Sequence, residues 1–183
     1  MDALKALHER VSAPRLSSPA PSGEVLANIQ RAAFRAADHG RMRPWRFLVL
    51  EDEGLVALGE LFVRAEAVKN PDLSDKEKER ARGRPLRAPM VIVAIASPKA
   101  NLKVPEVEQV ISTGATVQNM ITAAYAQGVG AIWRTGDYAY DDTVMDGLGL
   151  DGGEKIVGFL YLGTMDFTPP PAPQAEITEY FQT

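Results

Sequence analysis

The chain has 183 residues, 45% hydrophobic and 24% charged, and a formal net charge of −4. That length is one domain's worth or slightly more, with enough apolar material for a real core, and the negative balance argues against nucleic-acid binding, which needs a positive field. No cysteine and only two histidines are present. Disulfides, thiolate metal sites and cysteine catalysis are excluded, and a histidine-rich metal centre is not expected. The N-terminus lacks a signal-peptide pattern and no apolar run is long enough for a bilayer, so a cytoplasmic protein without a membrane partner is the default.

In chain order, Asp2 to Glu9 reads as a short helix with Leu4 and Leu7 on one face. Arg10-Val11-Ser12-Ala13-Pro14-Arg15 follows. Two arginines flanking a hydroxyl suit an anion or flavin contact, or simply make a surface turn. Pro19 to Gly23 is a connector, and Ser22 can cap the next helix, whose apolar stripe is Val25, Ile29, Ala32 and Ala36. If that helix continues, Arg35 and His39 stack on one face, with Gly40 as its C′ residue and Arg41 and Arg43 beyond. Such a donor cluster suits an anionic or polar cofactor; the alternative is a solvated basic loop. Phe47 to Leu50 is apolar on both faces, which predicts a central strand.

Leu55 to Ala67 reads as an amphipathic helix, broken at Asn70-Pro71. Ser74 to Glu77 has the form of a capping box, and the charge run to Arg82 reads as a solvated face. Gly83-Arg84-Pro85 ends it. Ala88 to Ala96 is the clearest strand, nearly all apolar. Pro105 opens the longest helix, to about Gln127, with apolar residues around most of its circumference beyond Gln109. Gly128 and Gly130 then precede a strand ending in Trp133-Arg134-Thr135. Glycines before the strand are in the wrong order for a dinucleotide fold. Arg134 buried without a partner would be costly, so a bound phosphate or carboxylate is an attractive explanation. Asp141 to Leu148 is a short helix, Glu154 to Gly163 the last strong strand, and the tail from Thr168 is proline-rich.

Four separated motifs together resemble the nitroreductase family, in particular its short, YdjA-like subgroup. Arg10, Ser12 and Arg15 match its opening basic motif, although Val11 replaces a second basic residue and Pro14 lies in the spacing. Ala37, Pro44, Trp45 and Phe47 match its helix–loop–strand segment; Asp38-His39 stand where Pro-Ser is usual, Arg41 where Asn is usual, and Arg43 where Gln is usual. Ala124, Gly128 and Gly130 match a helix end that leads into a flavin-touching strand, and the segment from Lys155 to Gly163 is similar to the penultimate one.

The resemblance implies a single α+β domain over 1–183. Its central mixed, mostly antiparallel sheet would hold strands near 46–50, 89–96, 131–134 and 155–162, with the helix from Val104 to about Gln127 at the centre. It also implies an interlocked homodimer with FMN sites at the subunit interface and a tail, about 168–183, docked on the partner. The implied FMN contacts are Arg10, Val11, Ser12, Arg15, Arg35, His39, Trp133, Arg134 and Thr135. Of these, Arg10, Ser12, Arg35, Trp133, Arg134 and Thr135 are expected from one chain's half-site and His39 from the partner. NADH or NADPH would reduce FMN and leave, and a nitroaromatic or quinone-like acceptor would follow by a ping-pong cycle. No catalytic base or nucleophile is then needed, because the cofactor carries the chemistry. Two alternatives stay open: a flavin-binding or storage protein with little turnover, and a reductive dehalogenase or flavin-fragmenting relative.

Overall fold

The computed structural model describes residues 1–101, 103–168, 170, 171, 176, 178, 180 and 181. The expected docking of the tail from about 168 lies largely outside the described residues. Ten elements carry the fold: α1 (Ala3–Glu9), α2 (Gly23–Ala33), β1 (Trp45–Glu51), α3 (Asp52–Lys69), α4 (Asp75–Arg82), β2 (Met90–Ala96), α5 (Glu106–Ala126), β3 (Gly130–Arg134), α6 (Asp142–Gly147) and β4 (Lys155–Gly163).

The four strands form one sheet in the order β1-β2-β4-β3, with every pairing antiparallel. The fold is the expected α+β class; a parallel pair, which a mixed sheet would contain, does not occur among the described strands. β2 is buried along its whole length. It sits between β1 and β4 with both faces covered by helices, which is why it reads as an unbroken apolar run. One face packs Ile92, Leu160 and Leu162 against Ile29 of α2 and Val117, Met120 and Ile121 of α5. The other packs Val91, Val93, Phe159 and Tyr161 against Leu55, Leu58 and Phe62 of α3.

β1 is an edge strand, not the central one predicted from Phe47 to Leu50. Burial of two faces and pairing of two edges are separate properties. Phe47 packs toward the α5 side and Leu48 and Leu50 toward the α3 side, so both faces are apolar although one edge has no strand beside it. Arg46 anchors this strand to the start of β4. Its Nε and Nη2 donate to the two Glu154 carboxylate oxygens at 2.7 and 2.6 Å.

The helix starts follow local chemistry. Asp2 caps α1 by accepting from Leu4 N and Lys5 N, and Ser74 and Glu77 form the reciprocal capping box at α4. Ser22 occupies the cap position of α2 but makes no side-chain bond there. In α5 the surface beyond Gln109 that was expected to be apolar contains buried Ser112, Thr113 and Thr116, and Gln109 is buried beside them. Each has an acceptor: the hydroxyls of Ser112, Thr113 and Thr116 donate to Ala37 O, Pro44 O and Thr113 O. No helix among the described residues is long and apolar enough to cross a membrane.

Candidate functional site

Alternation along β3 sends successive side chains to opposite faces. Arg134 pairs with Phe159 and Ile132 with Tyr161, so both point to the α3 face. Trp133 points to the α5 face, where its Nε1 donates to Val157 O at 3.2 Å. The indole rests on Gly158. A Cβ there would collide with the ring and approach the Arg134 carbonyl to 2.9 Å, so glycine is required for the strand end to keep this shape.

The segment after α1 lies along the free edge of β3. Ala13 N donates to Ala131 O at 2.9 Å, and Ser17 and Thr164 exchange backbone bonds of 3.0 and 2.9 Å. Arg10 closes α1 and is half-buried, while Ser12 and Arg15 are exposed. Arg134 Nη2 donates to Pro14 O at 3.3 Å. Its Nε is buried and has no partner among the described residues. An unsatisfied buried donor is costly, and a functional ligand is one reason a chain keeps it.

Two adjoining cavities share Arg87 and Arg134. One, of about 350 Å³, lies between β3, β4 and α3, with Phe62, Phe159, Tyr138 and Tyr161 as its aromatic walls and Arg84 at its rim. The other, of about 400 Å³, is lined by Pro14, Arg15 and Leu16 of the opening segment and by Leu86. Arg84 stacks over the Tyr138 ring at 5.5 Å and Arg134 over Tyr161 at 5.7 Å. Arg84 Nε, like that of Arg134, is buried and unpartnered among the described residues. Burial pushes both phenols above their ordinary range, aided at Tyr138 by its hydrogen bond to Glu66. The tyrosines therefore stay neutral and leave the positive charge uncompensated.

The stretch around His39 differs from the sequence reading. α2 ends at Ala33 with Phe34 as its cap. Arg35 and His39 are not stacked on one helix face, and Gly40 is not the C′ residue of α2. His39 opens a separate 3₁₀ turn, His39–Arg41. Gly40, Arg41 and Arg43 all have positive φ, at 69°, 54° and 45°. Two non-glycine residues in the left-handed region store strain, and the contacts around the loop hold it. Arg43 N donates to an Asp38 carboxylate oxygen at 2.8 Å, and Lys99 Nζ donates to Met42 O at 2.8 Å. His39 Nδ1 lies 2.6 Å from Glu108 Oε2 at the start of α5. Arg35 lines a groove of about 610 Å³ between α1, α2 and α5, with Leu7 and Asn119. Neither residue is among those lining the two cavities that hold Arg134. The structure thus sorts the predicted residues into two sets: the opening basic segment with the end of β3, and Arg35 and His39 elsewhere.

The family model described as the Nitroreductase family matches residues 8–164. The chain belongs to the nitroreductase family. It is 46% identical over 164 residues to the Escherichia coli K12 protein YdjA, whose name assigns it to the NAD(P)H nitroreductases; the match covers 90% of this chain and 88% of YdjA. The crystal structure of a nitroreductase-like family protein from Bacillus cereus superposes with a TM-score of 0.85 at 24% identity, covering 100% of this chain and 96% of that one. A nitroreductase with bound FMN from Desulfitobacterium hafniense superposes at 0.70 and 22% identity, with 100% of both chains covered.

For this nitroreductase-family chain, the orphaned Nε of Arg134 fits an anionic cofactor group, because a phosphate oxygen would satisfy it. Sequence reasoning missed Arg84, Arg87, Tyr138 and Tyr161. Arg84 and Arg87 flank Pro85 in a segment that reads as a helix stop, and they face the cavity only because the 3₁₀ turn Pro85–Arg87 packs beside β3 and β4. A phenol inside the otherwise apolar run of β4 was the one available signal for Tyr161.

Proposed function

We propose that this chain is an FMN-dependent NAD(P)H oxidoreductase that passes hydride to an electron-poor acceptor of nitroaromatic or quinone type by a ping-pong cycle. The observation that carries this reading is the buried Nε of Arg134 at the end of β3, which has no partner among the described residues. Family membership and the names of the relatives supply the reaction class. When bound, the flavin provides the hydride chemistry. The remaining tasks fall to the chain, acting as one domain over residues 1–183 in the cytoplasm.

Arg134 and Arg10 would hold the phosphate or the polar ring edge, as guanidinium forks suit both. Val11, Ser12 and Arg15 line the approach from the opening segment, and Trp133 and Thr135 flank Arg134 on the strand end. Donors at the N1/O2 edge stabilise charge that builds there on reduction, by the logic of an oxyanion hole. Arg35 and His39, set apart from Arg134 within one chain, serve the site of a second copy. His39 keeps the placement expected from the sequence; Arg35 is moved to the partner's side because it lines the groove by α1.

The test is the absorption spectrum of the purified protein, followed by anaerobic addition of NADH and NADPH in turn. A flavin spectrum that bleaches at catalytic speed supports the reading. A bound flavin that does not bleach points to storage, and a protein that takes up no flavin overturns the proposal.

A further inference from the structure

The flavin reading leaves Arg41 and Arg43 without a task. Both are exposed, and both sit in the left-handed region, at φ 54° and 45°. The only other non-glycine residue with positive φ among the described residues is Asp52, and aspartate adopts that backbone far more readily than arginine. Asn, the usual residue of the family at position 41, would carry the turn with less strain. A strained arginine kept at such a position points to a use for its charge.

The neighbouring loop adds to that charge. Lys99 Nζ rests on Met42 O at 2.8 Å, between the two arginines. Asn101 accepts from Lys103 N at 2.8 Å and reaches Met42 Sδ, so the loop before α5 lies against the same turn. None of Arg41, Arg43, Lys99 and Lys103 has an ion-pair partner among the described residues. The carboxylates of segments 38–44 and 97–108 are already engaged: Asp38 by Arg43 N, Glu106 by Lys155 and Glu108 by His39. A chain of net charge −4 thus carries an uncompensated positive rim on two touching loops. Such a local excess attracts a polyanion that the molecule as a whole would repel.

We propose that Arg41 and Arg43, supported by Lys99 and Lys103, bind the phosphate groups of the nicotinamide dinucleotide. This rests on the flavin reading, in which His39 serves the flavin of a second copy. Arg41 and Arg43 follow His39 by two and four residues. When the nicotinamide reaches that flavin, the phosphates of the same molecule trail outward toward solvent. A guanidinium fork matches a phosphate, and exposed contacts are individually weak, which suits a reductant that must leave before the acceptor enters. Two groups present this chemistry: the pyrophosphate common to NADH and NADPH, and the 2′-phosphate of NADPH.

The experiment uses the full chain with saturating FMN, as wild type, Arg41→Asn, Arg43→Asn and Arg41→Lys. Each asparagine removes a charge and eases the backbone, so both variants should melt at or above the wild-type temperature. Calorimetric titration with ADP-ribose, which carries the pyrophosphate, and with adenosine 2′,5′-bisphosphate, which carries the 2′-phosphate, reads binding without hydride transfer. Affinity should fall about two- to fivefold in each asparagine variant, the scale of one exposed ion pair, and Arg41→Lys should keep part of it. If the pyrophosphate is the ligand, ADP-ribose weakens and the KM values of NADH and NADPH rise together while kcat is kept. If the 2′-phosphate is the ligand, only the bisphosphate weakens and only the KM of NADPH rises. Fragment affinities and KM values that are unchanged in both asparagine variants overturn the proposal. So does a wild type that binds neither fragment, or a loss confined to FMN affinity, which would give the arginines to the flavin. A wild type that binds the fragments through these arginines, yet whose flavin neither nicotinamide bleaches, would sink the oxidoreductase reading and leave this site standing.

Discussion

Arg134 is the residue at which structure and function make opposite demands. Its Nε is buried without a partner among the described residues, a cost that a ligand would repay. Arg134→Met keeps the stem against Tyr161 and deletes the fork. Flavin affinity should fall about ten- to a hundredfold, roughly 1.5–3 kcal/mol, while the flavin-free protein becomes no less stable. Titration and urea unfolding of the same sample check both halves, and a loss of stability with unchanged affinity would make Arg134 a structural residue. Arg10→Ala should lower affinity by a similar factor. Glu154 answers to a different test. The paired guanidinium of Arg46 holds its carboxyl down to about 2 from an ordinary 4.5. A depressed acid contributes stability that is complete above pH 4.5 and is lost as the pH falls toward 2. Its side chain is 7% exposed, so the contribution is roughly 3 kcal/mol. In Glu154→Gln, unfolding free energy should lose that slope between pH 4.5 and 2; an unchanged slope would assign the acid sensitivity to other carboxylates.

At the scale of elements, α5 does more than fill the core. Gln109, 2% exposed, accepts from Lys99 N at 2.9 Å and donates to Lys99 O and Val104 O at 2.9 and 3.1 Å. It ties the loop before α5 to the helix, and Lys99 in turn holds Met42 in the strained loop of His39. Gln109→Ala leaves those backbone groups without partners and should cost about 1–3 kcal/mol. Hydrogen exchange should rise at residues 97–104 and 38–44 before it rises in the sheet; uniform protection would show that the loops are held some other way. The sequence revealed the strands and long helices because burial on two faces and helical periodicity leave strong patterns, as in β2 and α3. It misplaced β1 within the sheet, since face burial says nothing of edges. It extended α2 too far, because Ala36 and Ala37 favour helix while tertiary bonds from Ser112 and Asn119 pull the backbone away. The opening segment and the end of β3 were legible as candidate sites through their motifs. Arg84 and Arg87 were not, because their convergence on Arg134 depends on contacts distant in sequence.

For the whole molecule, the exposed apolar residues point to a second copy. Leu4 and Leu7 of α1, Phe34 after α2, and Val107 and Ile111 of α5 are 62, 59, 56, 62 and 66% exposed. Ala6, not the two leucines, is the buried residue of α1. α1 and α2 both pack on α5, so these side chains lie on neighbouring elements, and apolar surface concentrated in this way marks an interface. Closed twofold pairing is the commonest solution. Arg35, in the groove beside α1, and His39, beside Glu108, stand on this side of the molecule, apart from Arg134. We therefore expect an active homodimer in which each flavin site takes Arg10 and Arg134 from one chain and His39 from the other. Sedimentation over a dilution series should show a dimer that FMN stabilises by mass action, and Ile111→Glu should dissociate it and release flavin. A monomer that keeps stoichiometric FMN and full NAD(P)H oxidation would defeat this expectation. Mixing Arg10→Ala chains with His39→Ala chains tests the division of labour. If the residues come from opposite chains, each mixed dimer has one site lacking both and one site intact, so mixed dimers regain half of their tight sites and an equal, randomly paired mixture about a quarter. If they come from the same chain, every site in the mixture lacks one residue and no tight binding returns.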